Sequence, residues 1–92
     1  MTLGFHPKYL EVQSKYLLSQ GEWMGAVKIY KELISKGYNI LGNQVKIAQL
    51  YEKNHFYQNS IDYYNQVLKN QTVPKKKVKT LEKIFLIYQK IV

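Results

Sequence analysis

The chain has no cysteine, no arginine, only two prolines and only six acids among its 92 residues. Without cysteine there is no disulfide framework, no thiolate nucleophile and no cysteine-based zinc site, and a reducing compartment is compatible. The opening MTLGFHPKYLEV lacks the continuous apolar stretch of a secretory leader. The longest purely apolar run, Ile84 to Tyr88, falls far short of the ~20 residues a spanning helix needs. A soluble, cytoplasmic protein without a membrane span is the expectation. The acids, Glu11, Glu22, Glu32, Glu52, Asp62 and Glu82, are scattered. His6 and His55 have no ligand-spaced companions, and no glycine-rich phosphate loop or nucleophile motif occurs. No catalytic residue, metal site or cofactor is therefore expected, and the chain reads as a non-enzyme.

The missing arginine matters because all fourteen cations are lysines and the net charge is +8. Arginine's planar fork reads guanine edges and clamps carboxylates with two parallel bonds, whereas lysine acts as a hydrated point charge. Such basicity suits a diffuse acidic surface better than base-specific readout.

What is present is ample for a core: 46% hydrophobic residues and nine tyrosines. A single domain of this length buries somewhat more than ~60% of its unfolded surface. Five helices are expected, over 7–19, 22–36, 43–53, 57–70 and 74–92, after a loose lead-in over 1–6. Pro7 suits the first turn of a helix, where its missing N–H would be unpaired anyway. Trp23, Ala26, Val27, Tyr30, Leu33 and Ile34 recur at three and four, giving the second helix one inward face. Gly37 is expected to cap it. The linker 37–42 carries Tyr38, Ile40 and Leu41, expected to pack, and Asn43 is a reasonable N-cap for the third helix.

A repeat emerges by subtraction. Ser14 and Ala48, Leu17 and Tyr51, Trp23 and Tyr57, Ala26 and Ser60, Tyr30 and Tyr64, and Leu33 and Val67 match in character, and each pair is 34 apart. A helical hairpin cannot bury its apolar face alone, so repetition at a fixed period implies stacked units. The small residues sit where paired helices must approach closely. The pattern resembles the tetratricopeptide repeat, carried by Leu10, Gln13, Ser14, Leu17, Ala26 and Tyr30 in a first unit (7–40) and by Gln44, Ile47, Ala48, Tyr51, Ser60 and Tyr64 in a second (41–74). Val78, Leu81, Glu82 and Phe85 open a third (75–92), as a capping or onward helix. The closing prolines are replaced by Tyr38 and Thr72, Gln13 stands for a leucine, and the turn glycine present as Gly21 becomes His55. A left-handed backbone would strain His55 more than Gly21.

The resemblance implies an all-α superhelix of stacked antiparallel hairpins, right-handed, whose first helices line a concave inner surface. That rule puts Lys8, Lys15, Lys46, Gln49, Lys53, Lys76, Lys79 and Lys83 on one side, with only Glu11 and Glu52 to balance them. The implied function is protein-protein interaction, as an adaptor, assembly factor or small chaperone, with an acidic peptide or helix in a lysine-lined groove. A solvated amphipathic face is the alternative account of the same lysines. Family members that grip a chaperone's C-terminal carboxylate need residues that Glu11, Lys15, Lys46 and Thr80 do not supply. Only Lys76 matches, so that partner is not expected.

Three features stand apart. The run Pro74-Lys75-Lys76-Lys77-Val78-Lys79 sets cations in a first helical turn, against the helix dipole. The tyrosines among lysines suggest base stacking, but Tyr30, Tyr51, Tyr57 and Tyr64 fall at core positions, which makes nucleic acid the less favoured partner. Finally, the last helix is apolar on more than one face. Ile84, Ile87, Tyr88 and Ile91 form a stripe that would support a homo-oligomer or scaffold role.

Overall fold

The computed structural model describes residues 4–91. Met1 to Leu3 of the expected lead-in, and Val92 at the end of the last helix, lie outside the described residues. Within them the chain is all-α, with five helices and no strand: α1 (Pro7–Ser19), α2 (Trp23–Ser35), α3 (Ile40–Lys53), α4 (Tyr57–Asn70) and α5 (Pro74–Ile91). Each helix packs on the next in chain order, α3 on α4 most extensively and α4 on α5 least. The result is a flat stack of hairpins measuring 50 × 30 × 15 Å.

The turns follow from local chemistry. At the ends of α1, α2 and α3 one residue takes a left-handed backbone: Gly21 (φ 77°), Gly37 (φ 75°) and His55 (φ 69°). Each closes the helix with the same pair of bonds. Glu22 N–H donates to the Leu17 carbonyl and Gly21 N–H to Leu18; Tyr38 and Gly37 repeat this with Leu33 and Ile34, and Phe56 and His55 with Tyr51 and Glu52. This pairing satisfies carbonyls that a helix end would otherwise orphan. His55 thus adopts the backbone expected of the glycine it replaces, and its ring Nδ1 lies 2.8 Å from the Tyr57 hydroxyl.

Small side chains set the hairpin spacing. Ser14, Ala26, Ala48 and Ser60 are all buried, and their hydroxyls are satisfied internally. Ser14 Oγ donates to the Glu11 carbonyl (2.7 Å) and Ser60 Oγ to the Ala48 carbonyl (2.8 Å), across the α3–α4 contact. The apolar side chains gather in two clusters. The first joins Ala26, Val27, Ile29, Tyr30 and Leu33 of α2 to Ile47 and Tyr51 of α3, with Leu10, Leu17 and Trp23 packed against it. The second joins Ala48, Ile61 and Tyr64 to Ile84 and Ile87 of α5. Trp23 links the hairpins, edge-on to Tyr51 at 5.8 Å and tilted against Phe56 at 5.5 Å.

The structure corrects the third helix. It begins at Ile40, and Asn43 is a buried interior residue rather than an N-cap. The cap position belongs to Asn39, which takes the left-handed region (φ 44°). Asn43 Nδ2 instead donates to the Tyr38 carbonyl (3.0 Å), tying the linker to the helix, while its Oδ1 has no partner. Gly42 lies inside the helix, where a Cβ would stand 2.5 Å from the Asn39 side-chain Nδ2, so any larger residue would displace that side chain. Of the linker's apolar residues, Tyr38 and Leu41 are half-buried and Ile40 is exposed. Nor is all of the lead-in loose, since Phe5 packs edge-on against Tyr38 at 6.3 Å.

Candidate functional site

The first helices of the hairpins bring part of the expected lysine set together. A depression of about 390 Å³ opens between α3 and α5, lined by Val45, Gln49, Tyr64, Gln71, Lys76, Lys79, Thr80 and Lys83. A second, of about 210 Å³, lies between α1 and α3, lined by Leu18, Tyr30, Lys46, Gln49, Leu50 and Lys53. Gln49 belongs to both, so the two form one trough across the inner helices. Six of the eight expected residues, Lys46, Gln49, Lys53, Lys76, Lys79 and Lys83, line it. Lys8 and Lys15 are exposed on α1 and line neither depression.

The trough has an apolar floor and a cationic rim, as expected where helices bury one face and carry lysine on the edge. Tyr30 and Tyr64 are buried beneath it. The Lys46 ammonium stands 5.3 Å from the centre of the Tyr30 ring, held partly by the ring's negative face. Thr80 Oγ1 donates to Gln71 Oε1 (2.8 Å), fixing the start of α5 to the end of α4.

One internal acid shapes the electrostatics. The Glu52 side chain is only 14% exposed, and its Oε2 lies 3.1 Å from Lys83 Nζ and 3.5 Å from Lys90 Nζ. Its Oε1 accepts from the Tyr64 hydroxyl at 3.5 Å. Burial, reinforced by the Glu52 charge, pushes the Tyr64 phenol up to about 12. At the other end of the inner surface Tyr38 donates to Glu11 Oε1 (3.3 Å), and the Glu11 charge raises that phenol too. Glu52 therefore already holds Lys83, which leaves Lys46, Lys53, Lys76 and Lys79 as the cations of the trough without such a mate among the described residues. Lys90 was not among the expected residues, yet its spacing of seven from Lys83 sets both on one face of α5.

The expected self-association stripe divides. Ile84 and Ile87 are buried in the second cluster, so they hold α5 to its own chain and cannot form an intermolecular contact. Tyr88 and Ile91 remain exposed. Stripes at three and four recur on several faces of an apolar helix, and only the packed neighbour decides which one turns inward. One polar residue of α3 has partners that no local pattern shows. Gln44 is buried and bridges α4, donating to Gln66 Oε1 (3.3 Å) and accepting from Asn70 Nδ2 (2.9 Å).

Among the described residues no three histidine, aspartate or glutamate side chains converge as metal ligands would, and no helix is long and apolar enough to cross a membrane. Tyr30, Tyr51 and Tyr64 are buried and Tyr57 is half-buried, as their core positions required. No family model, curated protein or solved structure matches this chain.

Proposed function

We propose that this chain is a protein-protein interaction module of the tetratricopeptide type, which holds an acidic segment of another protein along the trough of α1, α3 and α5. It serves as an adaptor or assembly factor rather than as an enzyme. The observation that carries this reading is the continuity of the two depressions through Gln49, with Lys46 and Lys53 on one and Lys76 and Lys79 on the other. An extended acidic peptide laid there meets cations at both ends and apolar surface from Val45, Leu50 and Leu18 between them. Rim charges of this kind govern encounter rate and salt dependence, while the apolar floor supplies area. Six internal matches at an offset of 34 support the family reading.

A fluorescein-labelled glutamate-rich peptide tests the proposal by anisotropy. The double substitution Lys46→Glu with Lys79→Glu should weaken binding at least about tenfold, and added salt should weaken it further. Both side chains lie on the rim, so the thermal midpoint should move by no more than a few degrees. Lys83 is the poorer choice, because its reversal would set two carboxylates together at Glu52. Unchanged affinity in the double variant would remove the groove from consideration.

A further inference from the structure

The two depressions of the trough differ in chemistry. The one between α1 and α3 sets Lys46 and Lys53 over an apolar floor of Leu18, Tyr30 and Leu50, and Lys46 is already drawn to the Tyr30 ring. The one between α3 and α5 gathers three lysines from one face of α5, Lys76, Lys79 and Lys83, at spacings of three and four. Further donors stand around them. Gln71 accepts from Thr80 through its Oε1, which leaves its amide N–H groups to donate, and Gln49 adds a second amide. Glu52 divides its charge between Lys83 and Lys90 and does not line the depression. Lys76 and Lys79 have no acidic mate among the described residues. Two uncompensated cations and two amides therefore open onto one depression of about 390 Å³, with no acid among its lining residues.

We infer that the α3–α5 depression takes a phosphorylated side chain of the partner's acidic segment, an inference that rests on the trough being the binding surface. Charge and geometry select phosphate over carboxylate. A phosphate monoester carries close to two negative charges at neutral pH, which is what Lys76 and Lys79 leave unbalanced, whereas a glutamate carries one. Two glutamates do not substitute for it. Neighbouring side chains of an extended segment point to opposite faces, and those on the same face stand roughly 6.5–7 Å apart. The type of donor agrees. A carboxylate is clamped best by arginine's planar fork, and the chain has no arginine. The three terminal oxygens of a phosphate diverge, and lysine point charges on successive turns of a helix meet them from separate directions. The continuity of the two depressions through Gln49 favours a peptide, which spans both, over a lipid headgroup, which would fill one.

The probe is a fluorescein-labelled peptide of glutamates and leucines with phosphoserine, glutamate or serine at its centre, followed by anisotropy. The phosphoserine version should bind at least about tenfold more tightly than the glutamate version. Lys76→Ala with Lys79→Ala should bring that ratio to within about twofold. Lys46→Ala should weaken all three versions alike and leave the ratio unchanged. Lys76 and Lys79 are exposed, so circular dichroism and the thermal midpoint of their double variant should match the parent chain. Equal affinity of the phosphoserine and glutamate versions would overturn the inference and leave the trough standing as a site for acidic segments. A preference that survives Lys76→Ala with Lys79→Ala would overturn it too, since the phosphate would then sit elsewhere. Absence of binding by every version would remove the trough and the inference together. Binding to vesicles of phosphatidic acid, lost in the same double variant and without any preference for the phosphoserine peptide, would assign the depression to a lipid headgroup instead.

Discussion

An inner helix and a terminal helix of the stack are secured differently. Around α2, the first core draws on both neighbours: α2 is packed by α1 on one side and α3 on the other, and Ala26, Val27 and Leu33 are essentially sealed from water. At the far end α5 packs mainly on α4, with side-chain contacts to α3 at its edge. It is held by Ile84 and Ile87, by the Thr80 bond to Gln71 and by two lysines on Glu52. A helix with two neighbours buries apolar residues around most of its circumference. A helix with one neighbour buries a single stripe and must be anchored at its edges by polar contacts. A terminal helix such as α5 is accordingly freer to open than α2.

The strongest challenge to that comparison is a pair of truncations at equal burial. Leu33→Ala should lower the stability of the whole fold by ~2–5 kcal/mol, because the site is enclosed by two hairpins and cannot collapse. Ile87→Ala is as deeply buried, but its loss should appear as local opening of α5. Hydrogen exchange would then show faster exchange in α5 with α2 still protected, and equal effects on both helices would erase the distinction.

Alkali should find the same weak end. The Tyr64 phenol is raised from 10.0 to about 12 in the folded protein, so the neutral form is what folding favours. Its contribution is fully present below pH 10 and is lost as pH rises from 10 to about 12. Since Tyr64 lies in the second cluster, α4 and α5 should loosen first. The Tyr64→Phe variant should lack this phase in a pH titration followed by tyrosine absorbance and circular dichroism.

His55 offers a gain instead of a loss. A left-handed backbone at a residue with a Cβ costs ~1–2 kcal/mol, and glycine removes most of that strain. His55→Gly should raise stability by ~1 kcal/mol, less the value of the Tyr57 contact, in a urea melt. The smallest effect belongs to Glu52→Gln. Its partners Lys83 and Lys90 are 41% and 50% exposed, so breaking these pairs should cost under ~1 kcal/mol. Exchange should quicken in α5 while α1 and α2 stay unchanged.

Much of the architecture was legible because it rests on periodicity. Trp23, Ala26, Tyr30 and Leu33 declare one helical face whatever surrounds them, and the offset of 34 declares that a second hairpin repeats the first. Helix ends were legible where glycine stood, at Gly21 and Gly37, and less so at Asn39, whose left-handed turn started α3 early. The trough was legible as a side of the molecule, through Lys46, Gln49, Lys53, Lys76, Lys79 and Lys83. It was not legible as a charge distribution, because Glu52 meets Lys83 and Lys90 across 31 and 38 residues of chain. The buried amides failed for a similar reason: Gln44 is polar by type and is satisfied only by Gln66 and Asn70, which no local pattern brings to it.

By itself, then, the sequence determined five amphipathic helices, their breaks and the small residues that let hairpins close, since helical period and backbone strain act over a few neighbouring residues. Only the tertiary structure decided which stripe of α5 faces inward and which is left to solvent. A helix apolar on several faces has no intrinsic inside. Ile84 and Ile87 became core because α4 lies over them, and Val78, Leu81 and Phe85 stayed outside because no described helix lies over theirs.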